Sequence, residues 1–322
     1  MRAIICTKYG DPSVLHLSEM EKPTPKDNEI LIKMMATTVN SGDARLRRAD
    51  PFLVRLVFGF FKPKIRVLGN VISGIVEAVG KNVTTFKIGD EVFGLNDLTM
   101  GTYAEYLVVQ ESTPLALKPS NTSFEEAAAT VFGGHTALHF LKKADIKTGQ
   151  KVLIYGASGA VGSAAVQIAK YYGAQVTAVC STANLELVKN LGADTVLDYT
   201  KQDLSGMEKE FDVVFETVDK IEVSKIAKLL KPNGVLILGA VLIKGVLQGV
   251  IASKRLNLKL IAGMAEVRSQ DMNFIKELIE NQNFKPVIDK TYTLEQMAQA
   301  HEYVDKGHKK GNVVISICSQ KI

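Results

Sequence analysis

Tryptophan is absent from this 322-residue chain, and cysteine occurs three times, at Cys6, Cys180 and Cys318. Three scattered thiols can build neither a disulfide framework nor a four-cysteine zinc site. The sequence also lacks any apolar run long enough for a membrane-spanning helix, which needs about 18 residues or more, and it has no internal repeats and no low-complexity segment. Charge of one sign is scarce: 39 basic residues stand against 34 acidic ones, a net +5. That is too little to mark a nucleic-acid binder, so no such partner is expected. The start, Met1-Arg2-Ala3-Ile4-Ile5-Cys6, meets Lys8 and Asp11 at once, which excludes the apolar core of a secretory signal and gives a cytoplasmic location as the expectation.

What is present is a chain with 46% hydrophobic and 23% charged residues, long enough for two domains of about 150 residues. Up to Thr122 it reads as short β-branched strands punctuated by turn signals such as Tyr9-Gly10-Asp11-Pro12, Val79-Gly80-Lys81-Asn82 and Lys87-Ile88-Gly89-Asp90. From Ser123 apolar strands alternate with helical periods, the pattern of a parallel sheet covered by helices. Six strands are predicted: Val152 to Tyr155, Val176 to Cys180, Thr195 to Leu197, Val213 to Phe215, Val235 to Leu238 and Leu258 to Ala262. The tail reads as strands at Val287 to Ile288 and Val313 to Ile317. They flank a helix that opens at Thr293 with a capping box to Gln296 and closes at Gly307. Two domains follow, 1–122 with the returning tail 284–322, and 123–283, in an α/β fold whose second domain is a doubly wound dinucleotide-binding sheet.

The strongest chemical signal is Tyr155-Gly156-Ala157-Ser158-Gly159-Ala160-Val161-Gly162 after an apolar strand and before an alanine-rich helix. Gly156 turns the chain off the strand, Gly159 leaves a pyrophosphate room, Gly162 lets the helix pack close, and the helix start offers free N–H groups. Loop residues Gly156 to Gly162 are therefore candidate cofactor ligands. A site built for NAD ends its second strand, roughly 20 residues on, with a carboxylate on the ribose. Here that place reads Cys180-Ser181-Thr182-Ala183-Asn184, so NADP(H) is favoured, with Ser181 and Thr182 near its 2′-phosphate. Helix capping is the plain alternative for both residues.

The order of motifs resembles the medium-chain dehydrogenase/reductase superfamily, in its zinc-independent quinone oxidoreductase and enoyl (alkenal) reductase branch. The resemblance spans nearly the whole chain. It rests on Val39-Asn40-Ser41-Gly42-Asp43, Gly69 to Gly74, Val76-Glu77-Ala78-Val79-Gly80, Phe86 to Gly94, Gly101-Thr102-Tyr103-Ala104-Glu105-Tyr106, the glycine loop, Leu191-Gly192-Ala193-Asp194, and Gly311-Asn312-Val313-Val314. It implies a GroES-like β-barrel catalytic domain beside a Rossmann domain, with the cofactor in a cleft between them. It also implies Asn40 near the nicotinamide, Thr136 near a phosphate or ribose, Tyr199 near the adenosine ribose, and Gly239 and Asn312 beside the reactive ring. Val71, Ala183, Asn184 and Asn312 depart from the family pattern, which often has Asp at the first place and a basic residue at the others.

Relatives that use zinc carry Cys in the Asn40 to Asp43 turn, Gly-His-Glu near Gly69 and a four-cysteine lobe after Gly94; this chain has none of these. No metal is expected. His135 and His139, four apart on a predicted helix, lack a third ligand. Without a Lewis acid, a quinone or an α,β-unsaturated carbonyl is a better hydride acceptor than an alcohol is a donor, because conjugation spreads the arriving charge. Asn40 and Tyr103 are the candidate hydrogen-bond donors, with barrel packing as the alternative for Tyr103. None of the nine tyrosines precedes Lys by four residues, which disfavours short-chain dehydrogenase chemistry. A non-catalytic NADP-binding protein and an alcohol dehydrogenase remain as alternative functions.

The excess charge sits in one place. From Ala44 to Arg66 there are seven basic residues, Arg45, Arg47, Arg48, Arg55, Lys62, Lys64 and Arg66, against Asp50 alone, interleaved with Phe52, Leu53, Val54, Leu56, Val57, Phe58, Phe60 and Phe61. Three readings are open: a solvated loop, a lid over the substrate, and a lid in weak peripheral contact with membrane. In the second and third, Phe58 and Phe61 line an acceptor channel whose opposite wall is the apolar stretch from Ala240 to Ile251. A homodimer is expected through the apolar edge strand Leu258 to Ala262.

Overall fold

The computed structural model describes residues 1–207, 209–240 and 243–318. The chain divides into two compact units: Met1–Phe132 with Val267–Asn281 and Pro286–Ile322, and Gly133–Glu266 with Gln282–Lys285.

In the first unit β1 (Arg2–Cys6) pairs with β2 (Leu15–Glu19), and β3 (Glu29–Val39) runs into the helix α1 (Ser41–Arg48). The short helix α2 (Val54–Phe58) follows, then β4 (Val71–Val79), β5 (Glu91–Leu95), β6 (Tyr106–Gln110), β7 (Leu115–Leu117) and the start of the helix α3 (Phe124–Ala144), which from Gly133 onward belongs to the second unit. β3 is the hub, antiparallel to β4 and β6, and its residues are buried on both faces along most of its length. This explains a run of β-branched and long apolar side chains with few polar interruptions. Ile30, Ile32 and Met34 of β3 join Ile72, Val76, Val92 and Tyr103 in the barrel core. α1 starts where Asn40 and Asp43 cap each other: the Asp43 N–H donates to Asn40 Oδ1 and the Asn40 N–H to Asp43 Oδ2, each at 3.0 Å.

The second unit holds β8 (Lys151–Tyr155), α4 (Ala160–Tyr171), β9 (Gln175–Cys180), α5 (Leu185–Asn190), β10 (Thr195–Asp198), β11 (Phe211–Glu216), α6 (Val223–Ala227), β12 (Leu230–Leu238), α7 (Ile243–Leu256) and β13 (Lys259–Ala262). All six strands expected from the sequence form. They make one parallel sheet in the order β10-β9-β8-β11-β12-β13. The chain therefore switches direction between β8 and β11, the place where open α/β sheets bind ligands at their carboxyl ends.

The chain then forms α8 (Ser269–Glu280), β14 (Ile288–Thr293), a 3-10 turn from Leu294 to Gln296 that carries the expected Thr293–Gln296 capping box, α9 (Met297–Asp305) and β15 (Asn312–Ser316). β15 joins the first unit antiparallel to β3, and β14 lies parallel to β15. α8 also belongs to the first unit, beyond the reach assigned to the tail from the sequence. It packs against β7 and β5 with Met272, Ile275, Leu278 and Ile279 buried, and its carboxyl end is tied down where the Ser120 N–H donates to Glu280 Oε1 at 3.1 Å and the Asn121 amide to the Ile279 carbonyl at 3.1 Å. Arg47, one of the seven bases between Ala44 and Arg66, is fully buried, and its Nη2 pairs with Asp305 at 2.5 Å. Among the described residues no helix is long and apolar enough to cross a membrane.

Candidate functional site

The glycine loop leaves β8 as the sequence requires. Gly156 has φ +82°, and a Cβ there would come within 2.7 Å of Val218 and Thr217 side-chain atoms, so only glycine turns the chain at this point. At Gly162 a Cβ would lie 2.1 Å from the Gly156 carbonyl oxygen, which locks helix against loop. Gly159 is different: with φ −77° and ψ 177° its backbone is unstrained, and the nearest atom to a Cβ would be the Gly156 oxygen at 3.5 Å. Its side is kept clear for something outside the loop. The first-turn amides of Ala160, Val161 and Gly162 lack intrahelical acceptors, as at any helix start. A further glycine escaped notice in the sequence: a Cβ on Gly133 of α3 would sit 2.2 Å from the Ala160 carbonyl oxygen, so α3 packs directly on the start of α4.

The turn after β9 is tied to this loop. Asn184 Nδ2 donates to Ser158 Oγ at 3.0 Å and to Ser181 Oγ at 3.2 Å, while its buried Oδ1 has no partner. The Thr182 hydroxyl donates to Asp198 Oδ2 at 2.5 Å. Asp198 stands at the end of β10, opposite Cys180 in the parallel register. Hydrogen bonds from Thr182 and Thr200 hold its carboxyl below the usual range. A carboxylate thus reaches the end of β9 from the neighbouring strand. Tyr155 and Tyr199, with ring centroids 6.3 Å apart, line a cavity of about 460 Å³ together with Lys220, Ile221, Lys225 and Leu229. Of these the sequence singles out Tyr199, and none of the residues from Lys220 onward. Taken together, the cleared face of Gly159, the amide-rich helix start, the unpartnered Asn184 oxygen and the adjoining cavity fit a dinucleotide.

Gly239 follows β12, and a Cβ there would meet the Phe215 ring at 2.7 Å. Thr136 is buried on α3. The buried Glu216 ends β11. Its Oε1 accepts from the Val218 and Asp219 N–H groups at 2.8 and 2.6 Å, its Oε2 has no partner, and burial pushes the carboxyl up to about 7. It fixes the turn whose continuation, Lys220 and Ile221, lines the cavity. The rings of His135 and His139 lie 6.5 Å apart, and His139 Nδ1 accepts from the Glu266 N–H. Among the described residues no three metal-ligating side chains cluster.

In the first unit Asn40 is buried. Its Oδ1 accepts from Asp43 and its Nδ2 donates to Asn70 Oδ1 at 3.0 Å, which leaves one amide N–H uncommitted. The antiparallel register that pairs Val313 with Val39 sets Asn312 beside Asn40, and Asn312 Nδ2 donates to the Val287 carbonyl at 3.1 Å. Tyr103 is completely buried in the barrel core, edge-on to His301 at 5.7 Å. Its hydroxyl interacts with Asp43 outside hydrogen-bond geometry, and burial raises its pKa well above the ordinary value. The sequence offered it as a donor or as part of the barrel packing, and its ring lies in the barrel core. Phe58 is half-buried against the barrel core, whereas Phe61 is exposed. Of the apolar stretch from Ala240 to Ile251, Val241 and Leu242 lie outside the described residues.

Residues 26–120 match the alcohol dehydrogenase GroES-like domain and residues 191–315 the zinc-binding dehydrogenase domain. The chain is 33% identical to the NADPH-dependent alkenal/one oxidoreductase, chloroplastic, of Arabidopsis thaliana, over 98% of this chain and 79% of that protein. With the quinone oxidoreductase of Sus scrofa it shares 35% identity over 97% of this chain and 95% of the relative. The solved structure of the quinone oxidoreductase from Coxiella burnetii superposes with a TM-score of 0.90 at 27% identity, covering 99% of both chains. The chain belongs to the medium-chain dehydrogenase/reductase superfamily, in its quinone oxidoreductase and enoyl (alkenal) reductase branch.

Proposed function

We infer that this protein is an NADPH-dependent, zinc-independent reductase that passes hydride to a quinone or an α,β-unsaturated carbonyl. The observation that carries the reading is the cleared face of Gly159 at the start of α4, a cradle that fits a pyrophosphate and that no contact within the protein requires. The names of the Arabidopsis and pig relatives support the cofactor and the two acceptor classes. When bound, NADPH supplies the hydride. Ala160 to Gly162 offer amides to the pyrophosphate, Ser158 and Asn184 hold the loop, and Tyr155 and Tyr199 flank the adenosine end, with Ser181 and Thr182 beside its 2′-position. Thr136 and Gly239, on the second unit, are assigned to the reactive end of the cofactor, and on the first unit Asn312 stands beside Asn40. The uncommitted amide N–H of Asn40 is the donor to the acceptor's oxygen, where negative charge gathers as hydride arrives. Phe58 and Phe61 line the path of a lipophilic acceptor, and water returns the proton. Zinc independence is supported by the missing ligands: no Cys stands in the Asn40 to Asp43 turn or between Leu95 and Gly101.

A homodimer joined through β13, the terminal strand of its sheet, a cytoplasmic location and weak peripheral contact with membrane complete the proposal. The test is oxidation of NADPH and NADH against a panel of quinones, 2-alkenals and enones. Turnover with NADPH on one of these classes is expected. Stoichiometric cofactor binding without turnover on any of them would overturn the enzyme in favour of a non-catalytic binder.

A further inference from the structure

The helix α2 has two apolar faces and uses one. Val54 and Phe58, four residues apart, pack against the barrel core, as an amphipathic helix does. The opposite side should then be polar, yet Leu56 is 63% exposed and Val57 66%, with Phe52 at 58% and Phe61 at 87% beside them. These side chains are presented, not loosely strung. Phe52 meets Phe60 edge-on at 5.9 Å and Phe60 meets Phe61 at 5.0 Å. The Arg55 guanidinium lies over the Tyr9 ring at 4.9 Å, and the Tyr9 hydroxyl donates to the Gly59 carbonyl at 2.8 Å, so the segment is pinned to the first unit from behind.

Exposed Lys62, Lys64 and Arg66 adjoin the apolar face, and no acidic residue occurs from Pro51 to Val76. A second copy of the chain is a poor occupant, because a twofold contact on this patch would set the same bases against each other. Nucleic acid matches the charge and finds phenylalanines to stack on, but it leaves the exposed aliphatic Leu53, Leu56 and Val57 without an apolar partner. An anionic bilayer matches both: acyl chains take the apolar groups, and the headgroups meet the lysines and arginine.

We propose that the α2 face is a docking surface for anionic membrane, with Leu56, Val57 and Phe61 entering the interfacial layer and Lys62, Lys64 and Arg66 held at the headgroups. The proposal rests on the peripheral contact put forward above and names its lipid class and its side chains. It needs no catalytic turnover. Each basic residue near such a surface raises partitioning about fivefold, and salt weakens that share of the binding.

Flotation of the full-length protein, without cofactor or substrate, tests it with vesicles of phosphatidylcholine alone and of phosphatidylcholine mixed with phosphatidylserine. Binding to the mixed vesicles at low salt is expected, falling as salt rises, and weak on phosphatidylcholine alone. A Leu56→Asp/Val57→Asp variant should bind about tenfold less or worse with an unchanged melting temperature, since neither side chain is in the core. A Lys62→Glu/Lys64→Glu variant should lose the preference for phosphatidylserine, and it carries the test by itself if the first variant unfolds. Equal binding to both vesicle types overturns the anionic assignment while leaving a peripheral contact. No flotation on either overturns both. Retention of a single-stranded oligonucleotide without flotation reassigns the face to nucleic acid, and a variant that changes the oligomeric state reassigns it to self-association.

Discussion

The Thr182 hydroxyl donates a 2.5 Å hydrogen bond to Asp198 Oδ2, so the end of β9 carries a negative charge that its own sequence does not contain. Hydrogen bonds from Thr182 and Thr200 keep Asp198 ionised at neutral pH. A 2′-phosphate beside Ser181 is repelled by it, while a ribose hydroxyl is not. Asp198→Asn should therefore raise the ratio of kcat/KM for NADPH over NADH by roughly threefold to tenfold, the size of a screened interaction between neighbouring charges. Steady-state rates with both cofactors measure this, and an unchanged ratio would show that the phosphate lies elsewhere.

Two glycines of one loop should respond in opposite ways. Gly159→Val puts methyl groups into space that the protein leaves open, on a backbone that a β-branched residue tolerates. The variant should fold with an unchanged melting temperature and lose at least about a hundredfold in NADPH affinity. Gly162→Ala drives a Cβ to 2.1 Å from the Gly156 oxygen, so it should destabilise the fold outright. Calorimetric titration and thermal melts separate the two, and wild-type affinity in a folded Gly159→Val protein would sink the pyrophosphate assignment.

The contrast between these glycines and Asp198 shows what the sequence made legible. The six strands of the parallel sheet are near-continuous apolar runs, and the glycine loop sits between such a strand and a helix, so both could be read locally. Asp198 is 16 residues from Thr182 and reaches it only through the parallel register of β9 and β10. The bond from Asn40 to Asn70 likewise depends on how two distant turns meet. The burial of Arg47 is hidden for the same reason: a basic residue on a short helix is normally solvated, and it is the pairing with Asp305 of α9 that accompanies its burial. The periodicity of α8 shows that Met272, Ile275, Leu278 and Ile279 are buried, but not that β7 and β5 are what they meet, nor that Ser120 and Asn121 hold the carboxyl end.

The Asn40–Asn70 bond orients the proposed donor. With Oδ1 fixed by the Asp43 N–H and one N–H fixed by Asn70 Oδ1, the second N–H has a single direction. Asn70→Ala removes that restraint and should lower kcat by about tenfold, with little change in NADPH dissociation constant. Asn70→Asp keeps an oxygen acceptor and should recover much of the rate. Equal loss in both variants would mean that Asn70 serves the fold alone, and no loss in either would remove Asn40 as the donor.

His301 sets a pH dependence of stability. It is wholly buried, neither ring nitrogen has a hydrogen-bond partner, and burial, reinforced by Arg47 and Arg48, pulls its pKa down to about 3. In the unfolded chain the imidazole takes up a proton near its ordinary value of about 6.5. Between those two values the unfolded state binds a proton that the folded state refuses, so stability falls as pH drops from about 6.5 towards 3, by up to about 1.4 kcal/mol per pH unit. Asp43 and Glu216 act in the opposite sense, since burial raises both carboxyls to about 7, and they mask the effect in the wild type. The comparison with His301→Leu isolates it. Urea denaturation at several pH values between 7 and 4 should show the variant losing less stability than the wild type as pH falls, with the difference growing steadily below about 6.5. A difference that stays constant across that range would mean that His301 is protonated inside the fold.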